Sequence, residues 1–225
     1  MSDLIQATLE NNYYLIKELI KKGTPLSDKD SNGNDALVTA CIQGYPRIVQ
    51  LLIDKGADIN AKYKGNQTPL IIAAANGNKD TAKALLNAGV DINYQDNNGW
   101  TALMYAAQIN HLTTTKLLAN HYAQINIKDK EGWTALMIAA GQKNPEIVHY
   151  LVKYGAKVNE QNEAGFSALM LAIIFNYIEI VKILIKEGAD LYARDNENRT
   201  ALDLARERGR KKIIKLIQND NLLEF

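Results

Sequence analysis

One leucine recurs at a fixed step of 33 residues along the whole chain: Leu4, Leu37, Leu70, Leu103, Leu136, Leu169 and Leu202. No insertion or deletion breaks the register. A constant period of this length means that each segment is one supersecondary module whose hydrophobic face is closed by its neighbours. Other positions keep the same step. Three residues after each marker leucine stand Ala7, Ala40, Ala73, Ala106, Ala139, Ala172 and Ala205. Nineteen after it stand Gly23, Gly56, Gly89, Gly155 and Gly188, and seven before it stand Asp30, Asp96, Asp129 and Asp195. The register is clearest in NNGWTALMYAA from Asn97, KEGWTALMIAA from Lys130 and EAGFSALMLAI from Glu163.

Each period reads as two short helices. Thr68, Thr101, Thr134, Ser167 and Thr200 precede the first helix and suit its N-cap, where a hydroxyl accepts from an orphan backbone N–H. Pro69 falls at the first helical position, where its missing donor costs nothing. This helix is expected to run about eight residues and end near Gly44, Gly77 or Asn110. The second carries apolar residues at helical spacing, such as Ile48, Val49, Leu52 and Ile53 or Ile180, Val181, Leu184 and Ile185. The glycine that follows supplies a left-handed residue. Helices this short are marginal alone, so stability must come from stacking.

The pattern resembles the ankyrin repeat, D-x-x-G-x-T-P-L…A-A…G…L-L…G-A-D-x-N, most closely in Thr68-Pro69-Leu70, Asp96/Gly99/Thr101, Asp129/Gly132/Thr134, Gly56-Ala57-Asp58 and Gly188-Ala189-Asp190. The resemblance spans virtually the whole chain. It implies an all-α repeat solenoid with short β-hairpin loops, with about seven 33-residue repeats including terminal caps. One repeat domain over 1–225 is expected, with an N-terminal cap over 1–29, five full repeats over 30–194 and a C-terminal cap and tail over 195–225. Leu222, Leu223 and Phe225 in the tail read as capping residues or as an exposed tag.

Departures from the family pattern carry information. The histidine that often follows the family's leucine is Val38, Ile71, Met104, Met137, Met170 or Asp203, so this slot is expected to pack apolar. Tyr63 replaces the hairpin Asp and Asn66 the hairpin Gly. Tyr122 stands where five repeats have Gly, and a left-handed Tyr costs roughly 1–2 kcal/mol, so a local loop adjustment is expected.

Chemistry is sparse. Net charge is only +1, which gives no global field for nucleic acid or a membrane surface. A basic run near the C-terminus (Arg199, Arg206, Arg208, Arg210, Lys211, Lys212 and Lys215) is diluted by Asp203 and Glu207 and reads as solvated cap surface. His111, His121 and His149 lack metal-ligand spacing, and the single Cys41 falls in the packed register as a small hydrophobe. No phosphate loop is present, and the two glycosylation-like triplets end in helix-cap threonines. No stretch reads as a signal peptide or membrane span. The expectation is no enzyme, no metal, no cofactor, and a cytoplasmic protein or one delivered intracellularly without a classical signal.

Function should lie where the scaffold does not dictate the residue. Three before the marker the series is Asn34, Gln67, Trp100, Trp133, Phe166, Arg199. Its three aromatic members are consecutive and suggest a ladder. The ankyrin resemblance implies that this slot faces a concave groove, flanked by Asn97, Asn98, Gln108 and Ile109, then Lys130, Glu131 and Gln142, then Glu163, Ile174 and Phe175. Aromatics amid amide and charged groups suit protein recognition. A protein or peptide partner is therefore expected, with a monomeric chain. The competing readings are a structural or self-associating scaffold in which the aromatics only stiffen the stack and, behind it, an enzyme with an unfamiliar site in the groove.

Overall fold

The computed structural model describes residues 2–218. Among these, seven helix pairs follow the period: α1 (Asp3–Leu9) and α2 (Tyr13–Lys21); α3 (Ala36–Gln43) and α4 (Pro46–Asp54); α5 (Pro69–Ala75) and α6 (Lys79–Asn87); α7 (Ala102–Gln108) and α8 (Leu112–Asn120); α9 (Ala135–Gly141) and α10 (Pro145–Lys153); α11 (Ala168–Ile174) and α12 (Ile178–Lys186); α13 (Ala201–Glu207) and α14 (Lys211–Gln218). The fold is an all-α repeat solenoid. The chain divides into two compact units, one of Met1–Ala106 with Lys116–Ala123 and one of Ala107–Thr115 with Gln124–Phe225. The division falls inside α7 and α8. The tail leucines and Phe225 lie outside the described residues.

In the first unit α1 packs on α2 and α3, α3 on α4 and α5, and α6 on α4 and α5. In the second, α9 packs on α10 and α11, α11 on α12 and α13, and α14 on α12 and α13. First helices thus pack on first helices, with second helices behind them. The marker leucines from Leu4 to Leu169 are almost fully buried, and the alanines three residues on are sealed. A small side chain there lets helices approach closely.

The predicted caps form. The hydroxyls of Thr68, Thr101, Thr134 and Ser167 each accept from the backbone N–H three residues on, at 3.3 Å. The slot after the marker is apolar and buried at Val38, Ile71, Met104, Met137 and Met170. Asp203 departs from that expectation: its carboxylate accepts from Thr200 N and Oγ1 and completes a capping box. In the second repeat the cap is Asp35, whose Oδ1 accepts from Val38 N. Its other oxygen accepts from Tyr63 Oη at 2.7 Å. The Tyr63 departure and the Asp35 cap are thus two halves of one buried hydrogen bond.

The expected short hairpin loops form with almost no regular strand among the described residues. Each tip closes through two backbone bonds, such as Asp96 N to Trp100 O at 3.0 Å with Gly99 N to Asp96 O at 2.9 Å, and Asp129 N to Trp133 O at 3.0 Å with Gly132 N to Asp129 O at 3.1 Å. One isolated bridge, Gln161 to Ser167, is the sole β pairing among the described residues. Successive hairpins are tied within each unit: Asn97 N donates to Gly65 O, Glu163 N to Glu131 O and Asn196 N to Ala164 O. Gly165 shows why this tip wants glycine, since a Cβ would fall 2.7 Å from Asp195 Cα and Asn196 N.

Side chains eight residues after the marker clamp the preceding repeat. Asn78 Nδ2 donates to the carbonyls of Cys41 and Ile42, Asn144 Nδ2 to that of Ala107, and Arg210 Nη2 to that of Ile174. These carbonyls lie near first-helix C-termini, where acceptors are otherwise orphaned. Packing is less apolar in two second helices. Where α4, α10 and α12 bury Ile48, Ile147 and Ile180, α6 and α8 bury Thr81 and Thr114. The Thr81 hydroxyl has no hydrogen-bond partner. Tyr122 does not cause its loop to rearrange. It takes φ 64°, the same left-handed region as the glycines of the other repeats, and points into solvent.

Candidate partner-binding surface

The slot three residues before the marker sits on the hairpin segment that leads into each first helix. Its backbone is fixed by the hairpin Asp or Asn four residues earlier. Trp100 N donates to Asp96 Oδ1 at 3.0 Å, Trp133 N to Asp129 Oδ1 at 2.8 Å, Phe166 N to Asn162 Oδ1 at 2.9 Å and Arg199 N to Asp195 Oδ1 at 2.9 Å. The scaffold therefore dictates where each slot residue leaves the backbone, but not which side chain it carries.

In the first unit the slot is knitted into its surroundings. The Trp100 ring lies 5.0 Å from the Tyr105 ring at a tilt of 58°. Tyr105 Oη donates to Asp96 Oδ2 at 2.7 Å and accepts from Gln67 Nε2 at 2.8 Å. Gln67 is itself the slot residue of the third repeat, so two successive slots are bridged by one tyrosine. Burial, then the bond to Asp96, push the Tyr105 phenol up to about 12. Tyr105 was not among the sequence candidates. Its signal was a ring two residues after the marker, where other repeats carry Thr39, Ile72, Ile138, Leu171 and Leu204.

In the second unit the aromatic slots stand differently. Trp133 and Phe166 are both half-buried, and neither ring pairs with another ring among the described residues. Within this unit the aromatics do not form a stacked ladder. The Trp133 indole N–H donates to Glu131 Oε2 at 3.3 Å. Phe175 is 50% exposed and lies 5.8 Å from Tyr177, nearly parallel to it. A Cβ on Gly141 would meet the Phe175 ring at 3.9 Å, so the ring covers the end of α9. Ile174 is half-buried; Lys130, Glu131, Gln142 and Glu163 are exposed.

Arg199, the last slot residue, is held by carboxylates. Its Nη2 lies 2.7 Å from Asp195, and its Nη1 lies 2.9 Å from Glu197 and 3.5 Å from Glu207. Burial alone would raise the Asp195 carboxyl; the hydrogen bonds and charge of Arg199 outweigh it and hold the carboxyl below its usual range. Asn97, Asn98, Gln108 and Ile109 are exposed. Asn98 N is tied to Asp96 Oδ1 at 2.8 Å.

The match to known families is direct. A family model described as ankyrin repeats (3 copies) matches residues 4–96 and 70–162. A second, ankyrin repeats (many copies), matches residues 157–205. The chain belongs to the ankyrin-repeat family. Among solved structures, the ankyrin repeat domain of human ASB11 superposes with a TM-score of 0.87 at 23% identity, covering 97% of this chain and 99% of that one. The ankyrin repeat domain of Bcl-3, described as a unique member of the IkappaB protein family, gives a TM-score of 0.87 at 27% identity over the same shares. A search of curated proteins found no match.

Ankyrin repeats are protein–protein interaction modules, and the family is typically non-catalytic. Here Cys41 is buried, which pushes its thiol up. No group of three or more His, Cys, Asp or Glu side chains is placed to hold a metal ion among the described residues. No described helix is long and apolar enough to cross a membrane.

Proposed function

We propose that this ankyrin-repeat chain is a non-catalytic module that binds a protein or peptide through the slot side chains and hairpin tips of its fourth to sixth repeats. Within the second compact unit the surface consists of Trp133, Phe166, Ile174 and Phe175 with Lys130, Glu131, Gln142, Glu163 and Arg199 around them. Gln108 and Ile109 belong to the same unit; Trp100, Asn97 and Asn98, on the first unit, are contact residues of the fourth repeat at the equivalent register positions.

The observation that carries this reading is the state of Trp133 and Phe166. Their backbones are pinned by Asp129 and Asn162, yet their rings remain half-exposed and unstacked. A pinned aromatic with open surface binds at little entropic cost, which is the profile of an interface anchor. The scaffold reading draws support from one place, the Trp100–Tyr105 contact in the first unit. Affinity capture from source lysate, followed by titration of the purified partner against wild type, Trp133→Ala and Phe166→Ala, separates the two. Weakened binding by folded variants supports the interface. Unchanged affinity with lowered stability makes the rings structural.

A further inference from the structure

The fifth and seventh repeats carry the same acidic frame around different slot residues. Asp129 and Asp195 hold the same hairpin position, and Glu131 and Glu197 both stand five residues before the marker. In the seventh repeat the slot is Arg199, and its guanidinium pairs with Asp195 at 2.7 Å and Glu197 at 2.9 Å. In the fifth the slot is Trp133, and no cation of the chain takes the place of that guanidinium at Glu131 among the described residues. The Glu131 carboxylate accepts one hydrogen bond, from the indole N–H at 3.3 Å, which leaves most of its acceptor sites facing water. Glu163, on the next hairpin and joined to Glu131 by the backbone bond from its N–H at 2.9 Å, is exposed. Lys130, the nearby cation in sequence, is exposed and forms no ion pair with either.

We propose that the partner places an arginine side chain over the Trp133 ring, its guanidinium paired with the Glu131 carboxylate as Arg199 pairs with Glu197 within the chain. This rests on the reading that the Trp133 slot binds a partner. The indole face attracts a cation through its quadrupole, and the carboxylate at the edge of the same ring fixes the cation's position. A planar guanidinium satisfies both at once, lying flat on the ring while its N–H groups point outward to the oxygens; an ammonium is a point charge without that plane or fork. The occupant is thus a basic, arginine-bearing segment of a protein.

The test is selection of a random displayed peptide library against the full chain, followed by affinities of synthetic copies of the selected peptides. Arginine is expected at one fixed place in the peptides whose binding depends on Trp133. Replacing it by alanine should weaken binding to wild type by about tenfold and binding to Glu131→Gln much less, since the two changes remove the same pair. Raising salt from about 50 to about 300 mM should weaken the wild-type complex more than the Glu131→Gln complex. Trp133-dependent peptides without an arginine preference, or an arginine whose loss costs the same against Glu131→Gln, overturn this inference and leave the binding surface standing. If no peptide is selected, or selected peptides bind Trp133→Ala/Phe166→Ala as well as wild type, both fail. A circular dichroism melt of each variant confirms that it is folded.

Discussion

The same register slot has two fates in the two compact units. In the first, Gln67 and Trp100 are joined through Tyr105, which also bonds to the hairpin carboxylate of Asp96. In the second, Trp133 and Phe166 leave equally well-fixed backbones but keep their rings free of other rings. The repeat supplies the position; the neighbouring side chains decide whether it is used for cohesion or remains open for contact. A residue two positions after the marker, Tyr105 in one repeat and Ile138 or Leu171 in others, makes that choice.

The largest expected effects test whether the scaffold really is common to both units. Leu70→Ala and Leu136→Ala, one in each, should each lower unfolding stability by roughly 2–5 kcal/mol in urea titrations, because both empty a sealed core site. A large loss in only one would mean that the units are not built alike. Next come the slots themselves. Trp133→Ala should weaken partner binding by about 2 kcal/mol, roughly 30-fold, with the melting curve nearly unmoved. Trp100→Ala should instead lower stability by about 1 kcal/mol through the lost ring contact. Equal stability losses at both positions would erase the contrast. Tyr105→Phe keeps the ring and removes the hydroxyl that links Gln67 to Asp96. It should cost about 1 kcal/mol of stability, readable as a shift in urea midpoint.

The smallest effect concerns pH. Asp195 is held below its usual range when folded, so its contribution is present above the unfolded aspartate value and is lost as pH falls through the folded one. Asn162, the equivalent residue one repeat earlier, carries no charge to lose. On acidification below about pH 4, protection of the Glu197 and Arg199 amides, taken relative to the intrinsic exchange rate at each pH, should fall before that of Ala164 and Phe166. Simultaneous loss of protection would show that the Asp195–Arg199 pair adds nothing to this hairpin.

The helix pairs, their caps and the left-handed positions were legible because a period of 33 residues repeats each signal, and a single weak signal becomes strong when it keeps register. What remained hidden depends on pairs of residues far apart in sequence. The Asp35–Tyr63 bond needs two residues 28 apart to be read together; alone, Tyr63 looks like a defect and Asp35 like an ordinary cap. The clamps from Asn78, Asn144 and Arg210 reach back 36 or 37 residues to a carbonyl. The slot series was visible as a run of aromatics, but a one-dimensional register cannot show that Trp100 meets Tyr105 while Trp133 meets Glu131. Arg199 was read both as an open slot and as part of a basic surface. The three carboxylates around it show a charge already answered within the chain.

Titration calorimetry of the captured, purified partner against wild type and the Trp133→Ala/Phe166→Ala variant, at a temperature where both are folded, tests the binding surface most directly. Affinity reduced by at least about 30-fold with unchanged helicity is the predicted result. An affinity equal to wild type would contradict it.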